Sequence, residues 1–92
     1  MKAEDGAFYR DGLPGANPDL VVSLGENVRL NLEVINGTHD WVVDEFDVAT
    51  RQIGEGESHT VEFLADERGE FEYYSSTGSY REEGMYGTLK VQ

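Results

Sequence analysis

The sequence predicts an all-β domain, a Greek-key sandwich or barrel of about seven to eight short strands. Two observations lead to this fold class: runs of β-prone apolar residues recur at short spacing, and helical patterns are almost absent. Eleven glycines lie mostly between these runs, at places where a tight turn needs a positive φ. We therefore expect strands joined by glycine, asparagine and aspartate turns.

Six apolar runs are the clearest strand candidates. The run from Val28 to Val34 alternates apolar and polar residues, which is typical of a strand with one buried face. The other runs are 20–24, 41–46, 61–64, 70–73 and 86–91. The stretch 8–18 contains both prolines of the chain and predicts an edge strand followed by a loop. The one stretch compatible with a helical turn runs from Val48 to Ile53, and it is too short to affect the fold class.

Length and composition indicate one globular domain over residues 1–92. A chain of 92 residues buries only about 60–65% of its unfolded surface, so the core is expected to be modest. Hydrophobic residues at 38% and aromatic residues at 11% are sufficient for a packed core, which argues against disorder. No apolar run approaches the roughly 20 residues of a membrane helix, and we see no signal peptide. A membrane partner is therefore not expected.

The chain is strongly acidic, with nineteen Asp and Glu residues against seven Lys and Arg and a formal charge of −12. Such a field repels phosphate backbones, so nucleic acid is not expected as a partner. The acidic surface has two explanations. It is either a solvated or salt-adapted surface, or a docking face for a basic partner.

The absence of cysteine removes several classes of function. Without a thiol, the chain forms no disulfide, zinc–thiolate site or iron–sulfur cluster, and it has no thiol nucleophile. A chain of this kind is compatible with both reducing and oxidising compartments, so cysteine usage does not indicate a location.

The segments 36–41 and 73–87 carry the most informative motifs. The first reads Asn-Gly-Thr-His-Asp-Trp, and the second begins with two tyrosines and ends in Gly-Met-Tyr-Gly. These motifs resemble the cupredoxins, the superfamily of plastocyanin and azurin. In that family a histidine in the middle of the chain is joined by a loop reading Cys-x4-His-x4-Met, framed in the same way. The resemblance covers roughly residues 19–92 and implies a cupredoxin fold, copper as the family cofactor, and electron transfer, typically in the periplasm or outside the cell.

The four copper-ligand positions of the family are only half retained in this chain. His39 matches the first histidine and Met85 the axial methionine. Ser75 stands at the cysteine position, and Tyr80 stands at the second histidine position. Type 1 copper needs two imidazoles and a thiolate with a weak axial thioether. A serine hydroxyl is a poor copper ligand, and a tyrosine binds metal only as a phenolate, with an ordinary pKa of about 10. We therefore expect no cofactor.

Each of these four residues also has a purely structural explanation. His39 can be a hydrogen-bonded histidine at the rim of the domain, and Met85 can be core or lid packing. Ser75 can be a hydroxyl at the end of a strand. Tyr80 can be an aromatic plug over the former metal cavity.

A Ser–His dyad is a sharper alternative, since groups around one metal lie about 3–4 Å apart and Ser75 Oγ should then reach His39. Asp40 follows His39 directly, but neighbouring strand residues point to opposite faces, so Asp40 is badly placed to orient the imidazole. No oxyanion hole is evident either. We therefore expect that the chain is not an enzyme.

Three functions remain open from the sequence. The first is a cupredoxin scaffold that has lost type 1 copper binding, an engineered or degenerate relative of the blue-copper electron carriers. The second is an electron-transfer protein with an altered copper site, formed by His39, Met85 and either the Tyr80 phenolate or a carboxylate of Glu82 or Glu83. The third is a metal-independent interaction module. A monomer is expected, with a basic redox protein as the candidate partner.

Overall fold

The structure, a computed structural model, describes all residues from Met1 to Gln92. The chain contains nine short strands. The strands are β1 (Lys2–Glu4), β2 (Ala7–Tyr9), β3 (Leu20–Val22), β4 (Asn27–Val34), β5 (Val42–Val43), β6 (Val48–Ala49), β7 (Ser58–Leu64), β8 (Gly69–Tyr74) and β9 (Tyr86–Val91). A 3-10 helix, Asp44–Phe46, connects β5 to β6.

The strands form two sheets. The first sheet has the order β2-β1-β4-β7, and the second has the order β3-β9-β8-β5-β6. Most neighbours are antiparallel, but β1 pairs with β4 and β3 pairs with β9 in parallel. This architecture confirms the predicted all-β sandwich. No helix in the structure has the length and apolar character needed to cross a membrane.

The core lies between the sheets and is dominated by aromatic rings. The Trp41 ring stacks on Tyr73 with 5.7 Å between centroids and lies 6.0 Å from Phe63. The alternation predicted for β4 is observed: Val28 and Leu30 are half-buried, Leu32 and Val34 are fully buried, and the residues that alternate with them, Arg29, Asn31 and Glu33, are exposed. One face of each long strand therefore contributes to the same interior.

The stretch from Val48 to Ile53, which the sequence left compatible with a helical turn, forms no helix. Val48 begins β6, which pairs with β5, and Ile53 forms an isolated bridge with His39. Both residues are β-branched and buried, and such side chains suit a pleated, half-buried surface better than a helix. The short helix lies earlier, and Asp47 ends it in the left-handed region at φ 51°.

Only one of the two strands of the N-terminal hairpin was predicted. The predicted edge strand is β2, at the edge of its sheet, but β1 was not predicted. Asp5 and Gly6 connect these strands, and both have a positive φ, 51° and 75°. An Asp-Gly pair in a two-residue loop is a strong hairpin signal, because it allows the mirror-image turn that matches the strand twist.

Candidate functional site

The structure brings together His39, Ser75, Tyr80 and Met85, the four residues that the resemblance matches to copper-ligand positions. His39 precedes β5 and is tied to Ile53 by two backbone hydrogen bonds of 3.0 and 2.8 Å. Ser75 follows β8, and its N–H donates to the carbonyl of Met85 at 3.2 Å. The Met85 N–H donates in turn to the Tyr80 carbonyl at 2.9 Å. The loop from 75 to 85 therefore closes on itself above His39.

His39 is buried and has a contact on each side of its ring. Its Nδ1 lies 3.4 Å from Ser75 Oγ, within the range of about 3–4 Å predicted for these two groups from the sequence. On the other side, a Cβ placed on Gly37 would lie only 3.1 Å from Nε2. Burial lowers the pKa of His39, and the nearby Asp40 opposes this shift only in part. Burial therefore favours the neutral form of the imidazole.

Tyr80 covers the open side of His39. The two rings meet edge to face with 4.6 Å between their centroids. The Tyr80 ring also lies over the N-terminal hairpin, since a Cβ placed on Gly6 would lie 3.6 Å from it. The phenol is partly buried and packs against the core. The space in front of the imidazole is thus occupied by an aromatic ring.

Asp40 holds the start of the loop and does not orient His39. Its buried carboxylate accepts the Ser76 N–H at 2.6 Å and the Gln52 side-chain amide at 2.9 Å. The Ser76 hydroxyl donates to the same carboxylate. Gln52 continues the network by accepting the Thr77 hydroxyl at 2.7 Å. This role was missed by sequence reasoning, because the partners are distant along the chain.

A second set of contacts fixes the outer side of the loop. The Arg81 guanidinium donates to Glu72 at 2.6 Å and lies 3.9 Å above the centre of the Tyr74 ring. The Tyr74 hydroxyl donates to Asp44 at 2.7 Å, and this bond raises the pKa of Tyr74. These groups are exposed or half-exposed and are screened by solvent, so each contact adds little stability. Together they link the loop to β8 and to the 3-10 helix.

The aromatic and glycine residues that frame the loop have a steric explanation. Tyr73 on β8 is paired with Gly87 on β9, and the buried ring lies directly over that glycine. A Cβ at position 87 would overlap the Tyr73 hydroxyl. The hydroxyl donates to the Pro18 carbonyl at 2.6 Å, and burial raises the pKa of Tyr73. A large ring on one strand therefore needs a glycine opposite it.

The donor atoms at this end of the sandwich do not fit type 1 copper. They comprise one imidazole, one thioether, a hydroxyl that contacts the imidazole, and a phenol, with no thiolate. Nowhere in the chain do three His, Cys, Asp or Glu side chains converge as a metal-binding group. None of the cavities is lined by any of the four residues.

No protein-family model matches the sequence, and no curated protein matches it. Solved structures do match. Na-dithionite-reduced auracyanin from the photosynthetic bacterium Roseiflexus castenholzii superposes with a TM-score of 0.72 at 17% identity, over 80% of this chain and 83% of that one. Auracyanin A, a "blue" copper protein from Chloroflexus aurantiacus, gives 0.70 at 16% identity, over 80% and 85%.

A copper-containing nitrite reductase from Thermus scotoductus gives a TM-score of 0.73 at 27% identity, over 83% of this chain. This chain spans only 20% of the length of that enzyme. The fold is therefore that of the blue copper proteins, as the sequence resemblance implied. The chain therefore has the cupredoxin fold.

Proposed function

We propose that this chain is a cupredoxin-fold domain that has lost type 1 copper binding and acts as a structural or binding domain. The observation that carries the proposal is the pair Ser75 and Tyr80 at the thiolate and second imidazole positions. Electron transfer by blue copper depends on the thiolate, which a neutral, hard hydroxyl does not replace.

The packing around His39 supports this proposal. The contact with Ser75 at 3.4 Å and the covering Tyr80 ring at 4.6 Å occupy two sides of the imidazole. Burial keeps the ring neutral without a metal, since the lowered pKa of His39 disfavours the imidazolium. His39 and Met85 then serve as packing residues, and Tyr80 is the plug of the former metal cavity.

The proposal also includes the origin of the site. A loop that has lost its purpose is free to change length, yet the spacings between the ligand positions are those of the family. Replacement of two ligands within an unchanged frame therefore favours deliberate redesign or recent loss.

We further propose that the chain is not an enzyme. Ser75 and His39 lie close together, but a nucleophilic pair needs a third group that orients the base. The carboxylate that adjoins them, Asp40, is occupied by Ser76 and Gln52. Both members of the pair are also buried, which leaves the serine without access for a substrate.

A Cu(II) titration read by visible absorption tests the loss of copper binding. We expect no intense band and no saturable binding, and His39→Gln should behave as the parent chain does. An intense band that disappears in His39→Gln would overturn the proposal. It would indicate that the Tyr80 phenolate or a carboxylate replaces the thiolate, and electron transfer would become the function.

A further inference from the structure

The free edge of β7 is a second feature with functional potential, at a distance from the copper-ligand positions. β7 is the last strand of its sheet, so one of its edges has no neighbouring strand. At the ends of its ladder with β4, the Ala65 N–H donates to Glu26 at 2.9 Å and the Val34 N–H donates to Glu57 at 3.0 Å. These two bonds fix which residues of β7 face β4.

Along an antiparallel strand, the N–H and C=O groups of successive residues point to opposite sides. The backbone groups of the odd-numbered residues of β7 therefore bond to β4, and those of the even-numbered residues point away from it. The N–H groups of Thr60, Glu62 and Leu64 therefore face outward, and no other strand bonds to them. β6 lies across from this edge but forms no ladder with β7. The Leu64 carbonyl accepts the Asp66 N–H at 3.0 Å, and the other outward groups form a row without a strand partner, which is a template for another strand.

A groove of about 440 Å³ runs along this edge, between β7 and the segment from Glu45 to Val48. Its floor is apolar and is formed by the buried Val48 and Phe63 together with Phe46. The remaining lining residues are the exposed Leu64 and four exposed carboxylates, on Glu45, Asp47, Glu62 and Asp66, and no basic residue lines the groove. Arg29 approaches Glu62 at 3.8 Å from β4, but both side chains are largely exposed, so this pair screens little.

We propose that the free edge of β7 binds an extended segment of a partner protein in which basic and apolar residues alternate. The segment adds a strand to the sheet through the outward N–H and carbonyl groups of Thr60 and Glu62 and the N–H of Leu64. Side chains of an added strand alternate between the two faces. Apolar ones fill the floor at Phe46 and Phe63, and basic ones meet the carboxylates.

Charge selects this occupant over a second copy of the chain. Two copies would bring together two molecules with a formal charge of −12 each, with their acidic grooves facing one another. Like charges directly opposite each other across a strand pair are destabilising, whereas opposite charges stabilise it. The proposal does not depend on the fate of the copper site.

The test is amide hydrogen exchange measured by NMR, with a synthetic peptide as the probe. The peptide alternates Lys and Val over about eight residues, enough at about 3.3 Å per residue to cover β7. We expect saturable binding, with exchange at Thr60, Glu62 and Leu64 slowed by about tenfold or more because these amides gain partners. The amides of Val61 and Phe63, already bonded to β4, should change little.

Two control peptides distinguish the effect of the alternating residue pattern from the effect of the positive charge of the probe. An alternating Glu and Val peptide should not bind. A peptide with the same composition as the probe, but with its Lys and Val residues in separate blocks, should leave the three outward amides unprotected. Binding of the probe without protection of those amides would overturn the proposal, since it would show attraction by charge alone.

Variants at Glu62 give an independent readout. Glu62→Pro removes an outward N–H and a charge without breaking the β4 ladder, and we expect about tenfold weaker binding. Glu62→Gln removes only the charge and should weaken binding by about twofold to fivefold. Glu70→Gln makes the same change on β8, outside the groove, and should leave affinity unchanged.

Two outcomes contradict the proposal. Unchanged affinity in Glu62→Pro would show that the edge is not used; if this variant does not fold, the amide protection in the parent chain decides alone. A dimer of the unmodified chain that the probe does not dissociate would mean that a second copy occupies the edge.

Discussion

Two buried regions of the molecule are built in opposite ways. The aromatic core, between the sheets, comprises Phe8, Trp41, Phe46, Phe63, Phe71 and Tyr73. The loop-end cluster, where the loop from 75 to 85 meets β5, comprises His39, Asp40, Ser75, Tyr80 and Met85. The aromatic core is held by ring packing, whereas the loop-end cluster contains three buried polar residues with hydrogen-bonding contacts.

The difference between these regions shows that the side chains that stabilise the fold are distinct from the polar side chains that could carry chemistry. Ring packing depends on shape and on apolar area removed from water, and it carries no chemistry. Buried polar groups contribute little net stability when satisfied but are costly to disturb. The loop-end cluster therefore keeps its geometry through hydrogen bonds, although its donor atoms do not suit type 1 copper.

The largest effect is expected in the aromatic core. Trp41→Ala removes a fully buried ring that touches Tyr73 and Phe63, and it should lower the free energy of unfolding by about 3–5 kcal/mol. Trp41→Phe should cost clearly less, since it keeps a ring and removes an indole N–H that has no hydrogen-bond partner. Urea unfolding followed by circular dichroism measures both. Equal losses in the two variants would contradict the role assigned to ring packing.

A smaller effect is expected from the carboxylate of the loop-end cluster. Asp40→Asn keeps the size of the side chain but weakens three accepted hydrogen bonds, and it should cost about 1–3 kcal/mol. Exchange of the Ser76 amide should also become faster. The matched control, Asp66→Asn, changes an exposed carboxylate and should stay within about 0.5 kcal/mol of the parent. A slowly exchanging Ser76 amide in Asp40→Asn would show that another group holds the loop.

The smallest effect is a pH dependence from His39. Burial lowers its pKa in the folded state, so at pH values between the folded and unfolded pKa the unfolded chain binds a proton that the folded chain does not. The contribution of His39 to stability is therefore fully present above its unfolded pKa of about 6.5 and is lost as the pH falls through the folded value.

The difference between the parent chain and His39→Gln isolates this term from the titrating carboxylates. Unfolding free energies measured from pH 7.5 down to pH 4.5 should converge toward the acid end. A gap between the two chains that stays constant with pH would show that His39 ionises equally in both states.

The strands could be predicted where a local pattern determines the burial. The alternation from Val28 to Val34 identified the inner face of β4, and it did so because side chains alternate on a strand. The Asp5-Gly6 pair is a local sequence signal for a hairpin turn, and it was overlooked in the sequence analysis. The segment from Val48 was misread because two residues of strand are too few to show a period.

The site could be located through the resemblance, but its internal contacts could not be predicted. His39 and Ser75 were expected to approach each other, and they do so at 3.4 Å. The attachment of Asp40 to Ser76, and of Arg81 to Glu72, depends on how the loop folds back onto the sheets. Contacts of this kind follow from tertiary packing, which leaves no mark in the local sequence.

The visible absorption of the double variant Ser75→Cys, Tyr80→His with Cu(II) tests the central claim most directly. This claim is that the frame of the cupredoxin site is intact and only two of its donor atoms have been replaced. With His39 and Met85 already in place, the variant should complete the type 1 donor set and give an intense visible band that the parent chain lacks. A double variant that folds and binds copper but remains colourless would contradict the claim, because the loop would then not present the four residues to a common centre.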